Sequence, residues 1–155
     1  MKVTALEEYG LRCMLLFVGK NNGGPLTIPE ISSTEKLSIP YAGKLLMILK
    51  QAGLVRAVRG RNGGYVLSKP ADQIPLREIF GALGEPFFGN HHCARYAGES
   101  DVCAHDEDCR VRHMWSTFDR FIDGILGKVT LADLANGKLD FPESREPLPQ
   151  QKETA

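Results

Sequence analysis

Three of the four cysteines in this 155-residue chain lie close enough in sequence to bind one metal centre. They are Cys93, Cys103 and Cys109, separated by nine and then five residues, in a stretch that also contains His91, His92 and His105. Thiolates are soft ligands that suit iron–sulfur clusters and zinc. The spacing differs from the C-x-x-C pairs of zinc ribbons, which favours a cluster, either 2Fe-2S or 4Fe-4S. A thiol switch without any cluster is one alternative. A cluster-carrying module that binds another protein is the second.

Three cysteines leave at least one ligand position to fill. The candidates are His113, one helical turn after Cys109, His105 in the loop, and Glu7 or Glu8, which could reach in from a second subunit. The fourth cysteine, Cys13, falls on the apolar face of a predicted helix. We therefore expect Cys13 to be a buried, unreactive thiol.

The residues before the cysteines have the pattern of a helix-turn-helix. Residues 5–18 place apolar side chains at helical spacing. Thr27 and Ser38 each precede a predicted helix as a cap, with a proline two residues later, and a tight turn at 36–37 separates the two helices. A short helix, a tight turn and a second helix are typical of DNA-binding proteins.

A β-hairpin is predicted directly after the second of these helices. Residues 54–67 alternate like a strand, break at a glycine-rich tip over 60–64, and resume as a second strand. Arg59 and Arg61 lie at the tip beside glycines that let backbone amides approach a phosphate or a narrow groove. A hairpin in this place is the wing of a winged helix, and we expect it to contact DNA.

The net charge of zero hides an uneven distribution. Residues 1–70 carry ten Lys and Arg against four acids, whereas the remainder carries nine basic and fifteen acidic residues. A basic amino-terminal half suits a surface that binds a polyanion. We see no nucleophile–base pair, phosphate loop or paired carboxylates, and therefore do not expect an enzyme.

The helix predicted after Cys109 is too apolar to stand alone at a surface. Its apolar residues fall on one broad face over 110–126 and need a partner, for which the same helix of a second subunit is the first candidate and its own domain the other. A further short helix is expected over 130–136.

These patterns predict a mostly α fold with a small β wing, and four regions. They are a winged helix-turn-helix domain at 1–86, a cluster-binding loop at 87–109, a dimerisation helix with a short following helix at 110–139, and a disordered tail at 140–155. The mostly apolar run at 13–18 is far shorter than the roughly 20 residues that span a bilayer. We therefore expect no membrane partner and a cytoplasmic location.

The chain resembles the Rrf-type family of bacterial winged-helix transcription regulators over about residues 1–135. The resemblance is carried by MKVTALEEYGLRCMLLFV, by LSIPYAGKLLMILKQAGLVRAVRGRNGGYVLSKP, and by the three clustered cysteines. Its most specific part is RGRNGGYVLSKP, close to the family pattern R-G-x-x-G-G-Y-x-L. The resemblance implies a homodimer that binds double-stranded DNA and carries a cluster near the long carboxy-terminal helix.

The resemblance also implies which residues contact DNA. The matching positions are Thr4 near the first helix, Ser38, Pro40, Tyr41 and Lys44 at the start of the recognition helix, and Arg59, Gly60, Arg61, Asn62, Gly63 and Gly64 in the wing. Tyr41 is ambiguous, because it could equally face the core. The predicted function is regulation of transcription in response to redox state, nitric oxide, or iron and cluster supply.

Two departures from the family pattern bear on the fourth ligand. Members that use a histidine ligand place it three residues after the third cysteine, whereas that position here is Arg112 and His113 follows it. In the nitric-oxide-sensitive members the partner subunit supplies an aspartate from its first helix, and Glu8 stands at the matching place. The resemblance therefore favours Glu8 over His113. The signal itself is not carried over, because the spacing after Cys93 also differs.

Overall fold

The computed structural model describes residues 3–20, 24–84 and 109–139, with Cys93, Tyr96, Cys103 and His105 as single residues. Described residues form helices α1 (Ala5–Gly19), α2 (Ile28–Glu35), α3 (Ile39–Gln51), α4 (Leu76–Leu83), α5 (Arg110–Leu126) and α6 (Leu131–Ala135), a 3-10 turn (Ala71–Gln73), and strands β1 (Val55–Val58) and β2 (Gly64–Leu67). The prediction of a mostly helical fold with a small β wing is confirmed. The predicted tail at 140–155 and most of the predicted loop at 87–109 lie outside the described residues.

Each of the first three helices begins after a capping residue, which the sequence predicts for Thr27 and Ser38 but not for Thr4. Thr4 and Thr27 each form a capping box, in which the threonine side chain accepts the backbone N–H of a glutamate three residues later and that glutamate accepts the threonine N–H. Ser38 caps α3 by accepting the Tyr41 N–H at 3.3 Å. These local signals explain why the predicted helices and the observed ones nearly coincide.

The turn between α2 and α3 is held by its own hydrogen bonds. Lys36 adopts a left-handed conformation with φ of 56° and donates its N–H to the Ser32 carbonyl, which ends α2. The Ser32 hydroxyl donates to the Leu37 carbonyl at 2.6 Å. This turn fixes the place at which α3 begins.

Strands β1 and β2 form the wing, an antiparallel hairpin that pairs Val55 with Leu67 and Val58 with Gly64. The tip turns at Gly60, whose φ of 119° is unfavourable for residues with a Cβ. The base is extended by Leu26, which exchanges two backbone hydrogen bonds with Tyr65. A Cβ at Gly64 would lie 2.6 Å from the Leu26 carbonyl oxygen, so this approach requires glycine.

The core lies where α1, α3 and α4 meet beneath the wing. It includes Met14, Leu45, Leu49 and Ile79, none of which is exposed. Residues 129–134 return to this core, since Val129 and Leu131 are buried. The core therefore draws on residues outside the predicted 1–86 unit.

Helix α5 differs from the others because none of its 17 residues is buried. It is tied to its own domain near its carboxy-terminal end, where Leu126 packs against the core and Asp123 lies 4.0 Å from Arg77 of α4. No helix within the described residues is long and apolar enough to cross a membrane.

Candidate nucleic-acid interface and cysteine cavity

The start and outer side of α3 form an exposed surface. Ser38, Pro40 and Lys44 are all exposed there, as the sequence predicts. Ile39 and Met47 are also exposed, at 56% and 52%, although both are large and apolar. Sequence reasoning missed these two because it assigns apolar helix residues to the core. Apolar side chains on a helix in the major groove suit contact with thymine methyl groups.

Tyr41 is half-buried and its ring contacts another helix. The ring lies edge-on to that of Tyr9 in α1, with centroids 6.0 Å apart and planes at 87°. Its backbone N–H is donated to the Ser38 hydroxyl oxygen. Ser38 therefore serves as a cap while its hydroxyl hydrogen stays available to a phosphate.

The wing tip is exposed at Arg59, Gly60, Arg61 and Asn62, while Gly63 and Gly64 are partly covered. Arg56 of β1 is exposed as well and was missed, although strand alternation places it on the outer face. The ion pairs recorded between described residues involve none of Arg56, Arg59, Arg61 or Lys44. Their charges are therefore available to nucleic-acid phosphates.

Thr4, the remaining predicted DNA contact, is exposed at the start of α1. Its hydroxyl donates to Glu7 Oε2 at 2.8 Å and accepts the Glu7 N–H at 3.2 Å. The hydroxyl is thus engaged inside the capping box.

The three clustered cysteines line one cavity of about 410 Å³ at the start of α5. The lining comprises Cys93, Tyr96, Cys103, His105, Cys109, Val111, Arg112 and Trp115. Within the described residues, no three Cys, His, Asp or Glu side chains stand close enough to share one metal ion.

Cys109 connects this cavity to α5. It is the cap of the helix, and its Sγ accepts the Arg112 N–H at 3.3 Å. Anything that binds this sulfur changes how the first turn of α5 is held.

The candidates for a fourth ligand occupy different places. His105 lines the cavity, whereas His113 is exposed on α5 and is not among the lining residues. Glu7 is engaged in its capping box. Glu8 is exposed on α1 and does not line the cavity of its own chain.

An apolar stripe runs along α5 next to the cavity. Val111, Met114, Phe118 and Phe121 are 59%, 42%, 49% and 55% exposed. Together with Trp115, Ile122 and Ile125 they recur every three to four residues, the spacing of a helix that pairs with another helix. Val111 and Trp115 belong to both the stripe and the cavity lining.

Cys13 is fully buried in the core, as predicted. Burial, and secondarily the Glu35 carboxylate, raise the pKa of its thiol to about 11. At neutral pH the reactive thiolate is therefore scarce.

Comparison with known proteins places these features among transcription regulators. The model of the Rrf2 family, described as an iron-dependent transcriptional regulator, matches residues 3–137. The HTH-type transcriptional regulator IscR of Cronobacter sakazakii is 30% identical over 138 residues, which cover 89% of this chain and 82% of IscR.

Two solved structures have the same fold. The global cysteine regulator CymR (YrzC) of B. subtilis has a TM-score of 0.70 and 31% identity, and the match covers 88% of this chain and 98% of CymR. The oxidized form of Staphylococcus aureus CymR has a TM-score of 0.65 and 30% identity, over 87% of this chain and 96% of that one.

Proposed function

Because the chain belongs to the Rrf2 family of DNA-binding transcription regulators, we propose that it is a homodimeric sensor whose DNA binding is controlled by an iron–sulfur cluster at Cys93, Cys103 and Cys109. The relatives are regulators rather than enzymes, and this protein regulates transcription too. Because the family consists of DNA-binding regulators, we place the protein in the cytoplasm.

The observation that carries this proposal is that the three clustered cysteines line a single cavity. The family's description as iron-dependent supports iron as the metal. A structural zinc site gathers four donors on one ion, whereas the ligands of a cluster are shared among several irons. Three thiols on the wall of one cavity suit a cluster, whose irons take their ligands separately.

Glu8 of the partner subunit is our proposed fourth ligand, with His113 as the alternative. Glu8 is exposed and, unlike Glu7, is not engaged in a capping box. A carboxylate is a hard, weak ligand for a cluster iron, which suits a site that must respond to nitric oxide, oxygen or iron supply.

The apolar stripe on α5 supports dimerisation through this helix. Four large apolar side chains exposed on one helix form a surface that soluble proteins normally cover. Because Cys109 caps the same helix, a change in its ligation alters the end of α5 that lies beside the dimer surface. The positions of the two DNA-reading units relative to each other would change with it.

Each subunit presents α3 to a major groove and its wing to the adjacent minor groove. Lys44 and the wing residues 59–64 supply the contacts, together with Thr4, Ser38, Pro40 and Tyr41. The exposed, unpaired cations on both elements support this arrangement.

A thiol switch without a cluster is the second candidate. The observation that favours it is the likeness to a CymR structure of an oxidized form. In this case two of the cavity thiols would be oxidised to a disulfide by a peroxide, which is reduced to water or an alcohol.

Metal content and spectra of anaerobically purified protein distinguish these possibilities. We expect stoichiometric iron and sulfide, visible absorption, and a Mössbauer spectrum that identifies the cluster as 2Fe-2S or 4Fe-4S. Trp115 is the single tryptophan and lines the cavity, so its emission should fall as the cluster assembles. Zinc does not absorb this emission and would leave it unchanged.

Cysteine variants provide the matched control. Cys103→Ser should lose iron, whereas Cys13→Ala should keep it, because Cys13 lies in the core away from the cavity. Colourless protein with stoichiometric zinc would contradict the cluster. A disulfide found by mass spectrometry in iron-free protein would establish the thiol switch instead.

A further inference from the structure

A row of side-chain contacts crosses from the end of α2 to the start of α3 by way of α1. It consists of Glu35, Arg12, Tyr9 and Tyr41, and we call it the Arg12 relay. The Arg12 Nε lies 2.7 Å from Glu35 Oε2, the Arg12 guanidinium lies over the Tyr9 ring at 5.4 Å, and the Tyr9 and Tyr41 rings meet edge to face at 6.0 Å.

The relay begins at a carboxylate that needs a partner. Glu35 is 9% exposed, and it is the buried charged residue among those described. Its Oε2 is buried without a well-aligned hydrogen bond, although Arg12 is close. A buried charge is costly unless an opposite charge compensates it, so Arg12 is held in place by Glu35.

The middle of the relay depends on the shape of Arg12. A planar guanidinium pairs with a carboxylate and at the same time stacks on an aromatic ring, which an ammonium group does less well. Arg12 therefore joins Glu35 to Tyr9, and Tyr9 in turn presents its ring to Tyr41.

The relay ends at the part of α3 that reads DNA. Tyr41 is the third residue of α3, and its N–H is donated to the Ser38 cap. Glu35 and Tyr41 stand on either side of the turn through Lys36, so the relay fixes both ends of that turn to α1. We infer that Arg12 and Tyr9 are positioning residues that set the orientation of α3 and thereby the sequence specificity of DNA binding. None of the four relay residues lines the cysteine cavity, so this role goes beyond the proposed cluster site.

Binding to two DNA duplexes tests the relay. One duplex is enriched by the wild-type protein from a randomised library, and the other is a shuffled sequence of the same composition. We expect Arg12→Gln and Tyr9→Leu each to weaken binding of the enriched duplex about fivefold to tenfold, because part of the binding free energy is then needed to orient α3. Binding of the shuffled duplex should change by less than about twofold, because it rests on phosphate contacts.

Conservative variants and a second ion pair serve as controls. Tyr9→Phe keeps the ring and should bind the enriched duplex like wild type, whereas Arg12→Lys should fall between wild type and Arg12→Gln. Glu78→Gln breaks the Lys69–Glu78 ion pair, which has a similar distance of 2.8 Å but lies outside the relay. It should leave the ratio of the two affinities unchanged.

Three results would overturn the inference. One is an unchanged ratio of the affinities for the enriched and shuffled duplexes in folded Tyr9→Leu protein. This result would decide the question even if Arg12→Gln failed to fold. Another is equal weakening on both duplexes. The third is a lower salt dependence for Arg12→Gln, which would mean that Arg12 contacts a phosphate itself.

Discussion

Phe118 offers a quantitative test of the proposed dimer surface. It lies in the middle of α5 and is 49% exposed in the single chain. A phenylalanine presents about 200 Å² when fully exposed, so about 100 Å² are left for a partner to cover. At about 25 cal/mol per Å² this contributes about 2.5 kcal/mol per subunit. A symmetric dimer contains the residue twice, which gives an upper limit of about 5 kcal/mol.

We expect Phe118→Ala to reduce the free energy of dimerisation by about half of that limit. Alanine keeps the Cβ, and neighbouring side chains move into part of the space that the ring leaves. A loss of about 2.5 kcal/mol weakens the dimer roughly seventyfold. Sedimentation equilibrium over a series of protein concentrations measures this dissociation constant. Arg120→Ala is the control, since the Arg120 guanidinium contacts Ser116 and Thr117 of its own helix. It should dimerise like wild type.

An unchanged dissociation constant for Phe118→Ala would refute this reasoning. If, in addition, the free energy of unfolding of the monomer fell by a similar amount, the apolar stripe would have to pack against its own domain. In the present structure the stripe is exposed, so we expect the monomer's unfolding free energy to stay the same.

Three further predictions concern stability and reactivity. A Cβ at Gly10 would lie 2.4 Å from Leu83 Cδ1. Gly10→Ala should therefore lower the free energy of unfolding, measured in urea, by about 1–2 kcal/mol, although alanine has the better helix propensity. An unchanged value would contradict the close α1–α4 contact. Iodoacetamide should modify the three cavity cysteines of the metal-free native protein but not Cys13, whose pKa is raised to about 11. Backbone and side-chain hydrogen bonds from Thr27 lower the pKa of Glu30. The ionised carboxylate therefore stabilises the fold at neutral pH, and this stabilisation is lost as pH falls through the lowered pKa. Glu30→Gln should flatten the dependence of the unfolding free energy on pH below the ordinary glutamate pKa.

The elements that the sequence predicts well are those with local signals. Thr27 and Ser38 stand before prolines and cap the two helices of the helix-turn-helix. The glycine-rich tip at 60–64 separates the two strands of the wing. Each of these features depends on residues only a few positions apart, which a single sequence displays directly.

Features that depend on distant residues were missed. Glu35 ends α2, and no local pattern shows that its buried carboxylate lies against Arg12 of α1. Leu26 directly precedes the Thr27 cap, and no local pattern shows that it pairs with Tyr65 and extends the wing. Such contacts join segments whose relative placement no local pattern reveals.

The candidate site was predicted in part for the same reason. The cysteine trio was found from residue type and spacing. Of the two histidine candidates that the sequence offers, His105 lines the cavity and His113 does not. Ile39 and Met47 were missed because an apolar residue on a helix is assigned to the core unless its direction is known.

The decisive measurement is the affinity of one protein preparation for the enriched duplex before and after its cluster is removed. Fluorescence anisotropy under anaerobic conditions would follow binding, first with the intact cluster and then after chelation or exposure to nitric oxide. Cluster control predicts that the affinity changes with the loss of iron and is restored when the cluster is rebuilt, and that Cys103→Ser protein shows no such change. Identical binding by the cluster-loaded and cluster-free protein would contradict control of DNA binding by the cluster.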